Sequence, residues 1–306
     1  MSLSTARFRV ERLRCRLAGA LDRRLGRKRT VYVEERTEEY RRYWEEGARL
    51  IGAELVGLTE DIWELRREAR RVRITKHLTP CDDPATRRLA GDKPYCYSLA
   101  QSSGLPIPEH IIVEGGELSA ARDFLTRIGA PVVVKPARGS SSGLGVTTNI
   151  RSWSGLVRAA ALASLYCPTV LVERMIPGES CRLLFLAGTL IHAVRRRGQA
   201  ASGETRELRT VYDETVTALC GPALVDEVAR LVRRMGSEFA GIDLICNDLS
   251  RPLAESGGTF LEINTTPGIH HHYIAPDDFA PNPVAKLVLA YLLGERRGQG
   301  VSHDPA

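Results

Sequence analysis

The stretch FLEINTTPG, residues 260–268, places a carboxylate and an amide two positions apart on a predicted strand. Side chains alternate along a strand, so Glu262 and Asn264 are expected on the same face. Their oxygens are the ligands that Mg²⁺ prefers, and Mg²⁺ also binds phosphates. The alternative is a surface strand with its polar face in water, but the apolar residues around them predict burial, where a carboxylate needs a cation or donors. GIDLI, residues 241–245, is predicted to be a neighbouring strand from which Asp243 adds a further ligand.

A second motif, VVVKPARGSSSGLG at residues 132–145, is a predicted buried strand that runs into a glycine- and serine-rich loop. Backbone N–H groups and hydroxyls of such a loop can surround phosphate oxygens, while the ammonium of Lys135 neutralises their charge. The motif is neither GxxxxGK[ST] nor GxGxxG, which excludes the P-loop and the dinucleotide-binding fingerprint. A plain surface turn remains the alternative.

A third motif, VERMIPG at residues 172–178, is a strand that enters a Pro-Gly turn. Its backbone edge could bind adenine, and its carboxylates could bind the exocyclic amine or the ribose. Taken alone, this motif cannot be distinguished from any other strand–turn junction.

In this order, with GDK at 91–93 and LPIP at 105–108, the motifs resemble the ATP-grasp superfamily. Within it, the chain is most similar to the branch of carboxylate–amine ligases that includes D-alanine–D-alanine ligase and cyanophycin synthetase. The resemblance covers about residues 86–296. It implies an α+β, ATP-grasp fold in which two α+β subdomains grip ATP, after a short N-terminal α/β pre-domain and a basic helical arm. The predicted units are 1–29 (arm), 30–85 (pre-domain), 86–172 and 173–296 (the two subdomains) and 297–306 (flexible tail).

The resemblance implies ATP and Mg²⁺ as cofactors, with one or two ions and Mn²⁺ as a substitute. Relatives place the ribose acid at the position of Ser180, whereas here the nearest acid is Glu179, to which we assign the ribose. The residues implied for ATP are Lys93 and Lys135 on the phosphates, Ser140, Ser141, Ser142 and Gly143 in the lid, Glu173 with the backbone of Met175 and Ile176 at adenine, and Glu179 at the ribose. Those implied for the metal are Asp243, Glu262 and Asn264. Those implied for catalysis are Arg182, Arg196 and Ser140, because phosphoryl transfer is catalysed by positioning and charge stabilisation.

GIHHHY, residues 268–273, stands where relatives contact the acceptor substrate. Gly268, His272 and Tyr273 are the predicted substrate residues, and structural histidines are the alternative. Adjacent histidines also suggest zinc, but neighbouring residues converge poorly on one ion without another ligand.

The implied reaction starts with attack of a carboxylate on the γ-phosphate of ATP and continues with attack of an amine on the acyl phosphate. ADP and phosphate are released, and an amino acid or short peptide is one expected substrate. Because an acyl phosphate hydrolyses, loops are expected to exclude water, and Gly198–Gly203 is a candidate beside the lid. The alternatives are an ATP-grasp kinase, a degenerate regulatory module, and a ligase that modifies a macromolecular partner.

Composition is that of a globular protein, with 306 residues, 43% hydrophobic and 26% charged residues. No apolar run is long enough to predict a membrane span, and seven scattered cysteines predict reduced thiols in a cytoplasmic protein. The formal net charge of +6 fits anionic ligands. Nucleic acid is not an expected partner. Because the N-terminal region is short, a second subunit in a homodimer could complete the site.

Residues 6–29 carry ten basic and two acidic residues. Leu13, Leu17 and Leu21 recur every four residues, which favours an amphipathic helix. A solvated or disordered arm is the simplest interpretation, and a membrane surface, RNA or a partner protein are the alternatives.

The local patterns also predict individual elements. Val31–Glu34 is expected as a short strand, 38–51 as a charged helix and 82–103 as a single helix. A hairpin is expected around Ala187-Gly188.

Overall fold

The computed structural model describes residues 3–24, 31–114, 116–139, 143–196, 214–273 and 283–295. Their helices are Leu3–Arg24 (α1), Val31–Leu50 (α2), Pro84–Ala90 (α3), Lys93–Ser102 (α4), Ser119–Ile128 (α5), Trp153–Ala163 (α6), Pro222–Met235 (α7) and Val284–Leu292 (α8), with short 3₁₀ turns at Thr217–Leu219 and Ile269–His272. Their strands are Glu54–Gly57 (β1), Ile62–Arg67 (β2), Arg70–Thr75 (β3), His110–Glu114 (β4), Val132–Pro136 (β5), Thr147–Ile150 (β6), Thr169–Arg174 (β7), Ser180–Leu186 (β8), Thr189–Arg196 (β9), Glu214–Thr215 (β10), Phe239–Ile245 (β11) and Thr259–Asn264 (β12).

The strands form three antiparallel sheets. A small sheet has the order β1-β2-β3, an N-sheet the order β4-β7-β5-β6, and a C-sheet the order β10-β9-β8-β11-β12. Separate antiparallel sheets covered by helices are the α+β architecture that the sequence predicted. The predicted hairpin at Ala187-Gly188 is confirmed, since it joins β8 to β9.

The C-sheet is buried on both faces, which follows from alternation along β8. Leu183 and Phe185 pack into a core with α4 and α7, whereas Leu184 and Leu186 pack into a core with α2, α8 and the small sheet. Side chains of a strand point alternately to opposite faces, so one apolar strand serves two cores. The sheet is therefore held in place from both sides.

The N-sheet is covered by α5 and α6, and α1 packs on α6. Helix α6 buries a run of alanines against β5, and such small side chains allow a close approach. Helix α1 contributes Phe8, which is buried in the same core, so the predicted helix of the basic arm is confirmed and a disordered arm is wrong for Leu3–Arg24. Leu13 and Leu17 of the predicted leucine stripe do not make this contact, since both are exposed, and the side chain of Leu21 lies outside the described part.

Two local predictions were wrong. The expected strand Val31–Glu34 is the first turn of α2, whose Tyr40, Tyr43 and Trp44 face the core at helical spacing. The expected single helix over 82–103 is divided into α3 and α4. Asp92 caps α4 by accepting a hydrogen bond from the backbone N–H of Tyr95 at 3.1 Å, which fixes Lys93 as the first residue of the new helix.

Within the described ranges, no helix is long and apolar enough to cross a membrane.

Removal of the Phe8 ring is expected to undock α1. We expect Phe8→Ala to lower the free energy of unfolding by about 3 kcal/mol, because the ring is buried and its loss leaves a cavity. Denaturant unfolding measures this, with Val10→Ala on the exposed side of the same helix as the control. Equal stability of the two variants would contradict the packing of Phe8 into the core beneath α6.

Candidate functional site

A buried ion pair lies at the centre of the N-sheet. Strands β5 and β7 are neighbours, and Lys135 Nζ lies 2.8 Å from Glu173 Oε1. Tyr97 of α4 joins them, since Lys135 donates to its hydroxyl at 3.0 Å and that hydroxyl donates to Glu173 Oε2 at 2.7 Å. All three side chains are buried. The lysine predicted to bind phosphate is thus held rigidly by two partners.

Tyr97 was missed by the sequence analysis. Burial, and then the charge of Glu173, raise its pKa well above the ordinary value, so the phenol stays protonated and can only donate to the carboxylate. The signal that could have found it is helical spacing, because Tyr97 lies one turn after Lys93 on α4 and on the same face.

Helix α4 links the N-sheet to the C-sheet. Its first residue, Lys93, is buried, and its Nζ lies 3.7 Å from Glu262 Oε1 on β12. The backbone N–H of Lys93 donates to the carbonyl of Ala137 at 3.0 Å, just after β5. The structure therefore brings together the predicted phosphate-binding lysine of one motif and the predicted metal-binding carboxylate of another.

The three predicted metal ligands lie side by side on the C-sheet. Asp243 of β11 is paired in register with Glu262 of β12, and Gly241 with Asn264. Asn264 Nδ2 donates to Asp243 Oδ2 at 3.1 Å, which leaves its Oδ1 as an oxygen ligand. Among the described residues, no cluster of three or more His, Cys, Asp or Glu could hold a metal ion. Two carboxylates and one amide nevertheless suit Mg²⁺ bound to phosphate, because that ion keeps few protein ligands.

Arg182 of β8 lies on the other side of Asp243. Its Nε and Nη2 donate to the two carboxylate oxygens at 2.6 and 2.7 Å, a bidentate pair with both side chains largely buried. The strand register places Arg182, Asp243 and Glu262 in one row across three strands. A fixed guanidinium next to the candidate metal ligands can stabilise developing negative charge.

The Pro-Gly turn leads from β7 into β8. The backbone N–H of Met175 donates to Pro131 at 2.9 Å, and Glu179 Oε2 lies 3.0 Å from Arg195 Nη1. Arg195 also binds Glu214 and was not predicted from the sequence, where its neighbour Arg196 was the candidate. The signal that could have found Arg195 is the register of the β8–β9 hairpin, because Arg195 pairs with Cys181, close to Glu179.

Several predicted residues lie outside the described part. These are Ser140, Ser141 and Ser142 of the lid, the loop Gly198–Gly203 and the side chain of Arg196. Gly143, at the edge of the lid, has a φ of +74°, a conformation that favours glycine.

The histidine run forms a 3₁₀ turn, Ile269–His272, that packs against α2. His270 Nδ1 lies 2.7 Å from the hydroxyl of Tyr40, and the Tyr273 ring stacks on Tyr43 with centroids 4.0 Å apart. His272 is fully buried, and its Nδ1 lies 3.1 Å from Nδ1 of His192. Tyr40 and Tyr43 were missed because they belong to the segment that resembles the family least.

Gly268 is required by this packing. A Cβ on Gly268 would lie 2.5 Å from Cε1 and 2.8 Å from Nδ1 of His270. The Nε2 atoms of His270 and His272 are buried and have no hydrogen-bond partner among the described residues. Both histidines belong to the run that was predicted to contact substrate.

The histidine run is expected to make stability depend on pH. Burial, and then nearby cations, lower the pKa of His270 to about 3 and lower the pKa values of His271 and His272 as well. Because the unfolded imidazole titrates near 6.5, the unfolded state takes up protons first, and stability is lost as the pH falls below that value. At about pH 5.5, each fully shifted imidazole should cost about 1.4 kcal/mol.

Denaturant unfolding between pH 8 and 5.5 measures this loss, and His270→Asn should make its pH dependence less steep. A free energy of unfolding that stays constant over this range would show that the imidazoles titrate freely in the folded protein.

Known proteins resemble this chain in sequence and in fold. Residues 99–283 match the family described as "D-ala D-ala ligase C-terminus". The chain is 33% identical over 190 residues to the D-alanine–D-alanine ligase of Mycolicibacterium vanbaalenii, which covers 58% of this chain and 51% of that protein. It is 35% identical over 190 residues to the same enzyme of Mycobacterium tuberculosis, at 58% and 50% coverage. The chain thus spans about half the length of the curated relatives it matches.

Solved structures show the same fold at low identity. A bifunctional glutathione synthetase from Pasteurella multocida superposes with a TM-score of 0.54 at 15% identity, over 82% of this chain and 44% of that chain. The D-Ala:D-Ser ligase VanG from Enterococcus faecalis superposes with a TM-score of 0.53 at 19% identity, over 70% and 63%. The predicted ATP-grasp fold is confirmed.

Proposed function

The chain belongs to the family described as "D-ala D-ala ligase C-terminus", and from that premise we propose that it is an ATP- and Mg²⁺-dependent carboxylate–amine ligase. It would form an amide bond through an acyl phosphate and release ADP and phosphate. The observation that carries the proposal is the contact of Lys93 on α4 with Glu262 on β12, which brings the cation proposed for phosphate next to a carboxylate proposed for the metal.

The buried lysines fit the phosphates of ATP. Lys93 and Lys135 are each held by a carboxylate, so their ammonium groups stay fixed when the nucleotide leaves. Fixed charges need little reorganisation as negative charge moves toward the leaving phosphate. Ser140, Ser141, Ser142 and Gly143 would close over these phosphates as a lid.

The remaining ATP contacts follow the turn from β7 to β8. Glu173 with the backbone of Met175 and Ile176 would bind adenine, and Glu179 would bind the ribose. Since Glu179 is already paired with Arg195, its carboxylate is held in place directly after the Pro-Gly turn.

Asp243, Glu262 and Asn264 would hold Mg²⁺, as one or two ions, or Mn²⁺ in its place. The bound ion would neutralise phosphate charge. Arg182, fixed by its bidentate pair with Asp243, would stabilise the transferring phosphoryl group, and Arg196 is proposed for the same task.

The acceptor side would be lined by Gly268, His272 and Tyr273. The support is the position of this run shortly after β12, the strand that carries Glu262 and Asn264. Arg182 is close enough to lower the pKa values of all three histidines, so the run lies near the proposed phosphoryl site. An amino acid or short peptide is the proposed substrate class.

A reducing, cytoplasmic setting is proposed for this reaction. All seven cysteines are free thiols, and the reaction consumes ATP.

Release of ADP and phosphate from Mg-ATP, with a matrix of amino acids and dipeptides, tests the proposal. The expected result is phosphate release that requires both a carboxylate and an amine, and a product lighter than its substrates by one water. Lys135→Ala and Glu262→Ala should be inactive. ADP without free phosphate would overturn the ligase in favour of a kinase, and tight ATP binding without turnover on small molecules would overturn the small-substrate assignment.

A further inference from the structure

Among the described residues, the contacts between helix α1 and the rest of the molecule come from one of its faces. Phe8 is buried in the core of the N-sheet, in such close contact with Gly116 that a Cβ there would lie 2.6 Å from its Cδ1. Arg12 Nη2 donates to the carbonyl of Ser164 at 3.4 Å on the same side. This inner face fixes the orientation of the helix.

The outer face of α1 presents an apolar stripe to solvent. Val10, Leu13 and Leu17 are 50%, 56% and 61% exposed. At about 100° per residue, Leu17 lies half a rotation from Phe8, and Val10 and Leu13 lie on either side of it. Single exposed leucines are ordinary, but three aligned along one described helix form a continuous surface.

Arginines border this stripe on both sides. Arg9 and Arg16 lie along one edge and Arg7 and Arg14 along the other. The only acid among the described side chains of α1, Glu11, is turned inward and pairs with Arg14 at 2.9 Å. The outer face is therefore apolar in the middle and cationic at both edges.

This arrangement of apolar and cationic side chains indicates which kind of partner binds the outer face of α1. A second copy of α1 would bring two arginine-bordered stripes together, with repulsion along both edges. RNA would use the arginines, but the stripe has no aromatic ring on which a base could stack. An anionic lipid surface uses both features, because aliphatic side chains enter the boundary between headgroups and acyl chains while arginines contact lipid phosphates.

We propose that the outer face of α1 is a docking surface for an anionic phospholipid membrane. The helix lies in the plane of the interface, with Val10, Leu13 and Leu17 inserted and the bordering arginines on the phosphates. This surface is separate from the proposed ATP site, so docking and catalysis can be tested independently.

Co-sedimentation of the full chain with large vesicles tests the proposal. We expect binding to vesicles that contain phosphatidylglycerol, little binding to pure phosphatidylcholine, and weaker binding as the salt concentration rises. The double variant Leu13→Ser/Leu17→Ser should lower the partition coefficient at least about ten-fold. Its folded state is checked by circular dichroism and thermal unfolding.

Leu219→Ser is the matched control, since Leu219 is also 50% exposed but lies in another part of the fold. It should bind vesicles as the parent chain does. Equal binding by Leu13→Ser/Leu17→Ser would overturn the proposal. So would an absence of vesicle binding, whether or not the chain binds an RNA oligonucleotide or forms a dimer that the double variant disrupts.

Discussion

Replacement of Lys135 by methionine is expected to abolish turnover and to destabilise the fold at the same time. The ammonium is buried with Glu173 at 2.8 Å, so its removal leaves a carboxylate without a cation in the core of the N-sheet. Loss of one partner of a buried pair costs about 3–5 kcal/mol, because the remaining charge stays desolvated. Loss of a phosphate-binding cation should lower kcat by about 10³-fold. Denaturant unfolding and ADP release measure the two effects.

A second substitution separates these effects. In the double variant Lys135→Met/Glu173→Gln, the buried charge is gone, and the amide can still accept a hydrogen bond from Tyr97. We expect most of the lost stability to return while turnover stays absent. If the double variant regained turnover, Lys135 would have a structural role only. If Lys135→Met were as stable as the parent chain, another group would balance the buried negative charge of Glu173.

Tyr97→Phe is the matched control for the same cluster. It removes the hydroxyl that links Lys135 to Glu173 and keeps both charges. A moderate loss of stability, about 1–2 kcal/mol, is expected with a small effect on kcat, because the ion pair persists. A loss of turnover as large as that of Lys135→Met would assign the phenol a direct part in the reaction.

The shared face of Glu262 and Asn264, two of the proposed metal ligands, could be predicted because it depends on a short-range rule. Strand alternation places Glu262 and Asn264 on one face, and the register of β11 and β12 then sets Asp243 beside Glu262. The bidentate contact with Arg182 could not be derived in this way. It depends on which strand lies next to β11, and this pairing of distant segments is not encoded in any local period.

The helices show the same contrast between features that local sequence patterns predict and features that depend on distant contacts. The Gly91-Asp92 break was hidden inside a continuous helical pattern over 82–103, although Asp92 followed by Pro94 is a cap signal. In α1, periodicity correctly predicted a helix, yet Leu13 and Leu17 face solvent and Phe8 makes the contact with the core. A periodic pattern specifies that one face is apolar, but the available partner decides which face is buried.

Replacement of Asp243 by asparagine is expected to have the largest effect on the metal site. The change keeps the shape of the side chain but removes the charge that faces both the proposed Mg²⁺ and Arg182. We expect kcat/KM to fall by about 10²–10³-fold, because both the ion and the arginine act on the charge of the transferring phosphoryl group. The change should also lower the free energy of unfolding, because the amide nitrogen cannot accept the second hydrogen bond from Arg182, so denaturant unfolding is measured beside turnover.

The dependence of turnover on Mg²⁺ concentration distinguishes the two contributions. If Asp243 binds the ion, the variant should need more Mg²⁺ and should recover part of its rate when Mg²⁺ is raised. If Asp243 only orients Arg182, the Mg²⁺ dependence should match that of the parent chain, and Arg182→Lys should produce the same loss. Asp123→Asn, an exposed carboxylate on α5, is the matched control and should leave both quantities unchanged. An Asp243→Asn enzyme with full turnover at low Mg²⁺ would remove Asp243 from the metal site and leave Glu262 and Asn264 as its proposed ligands.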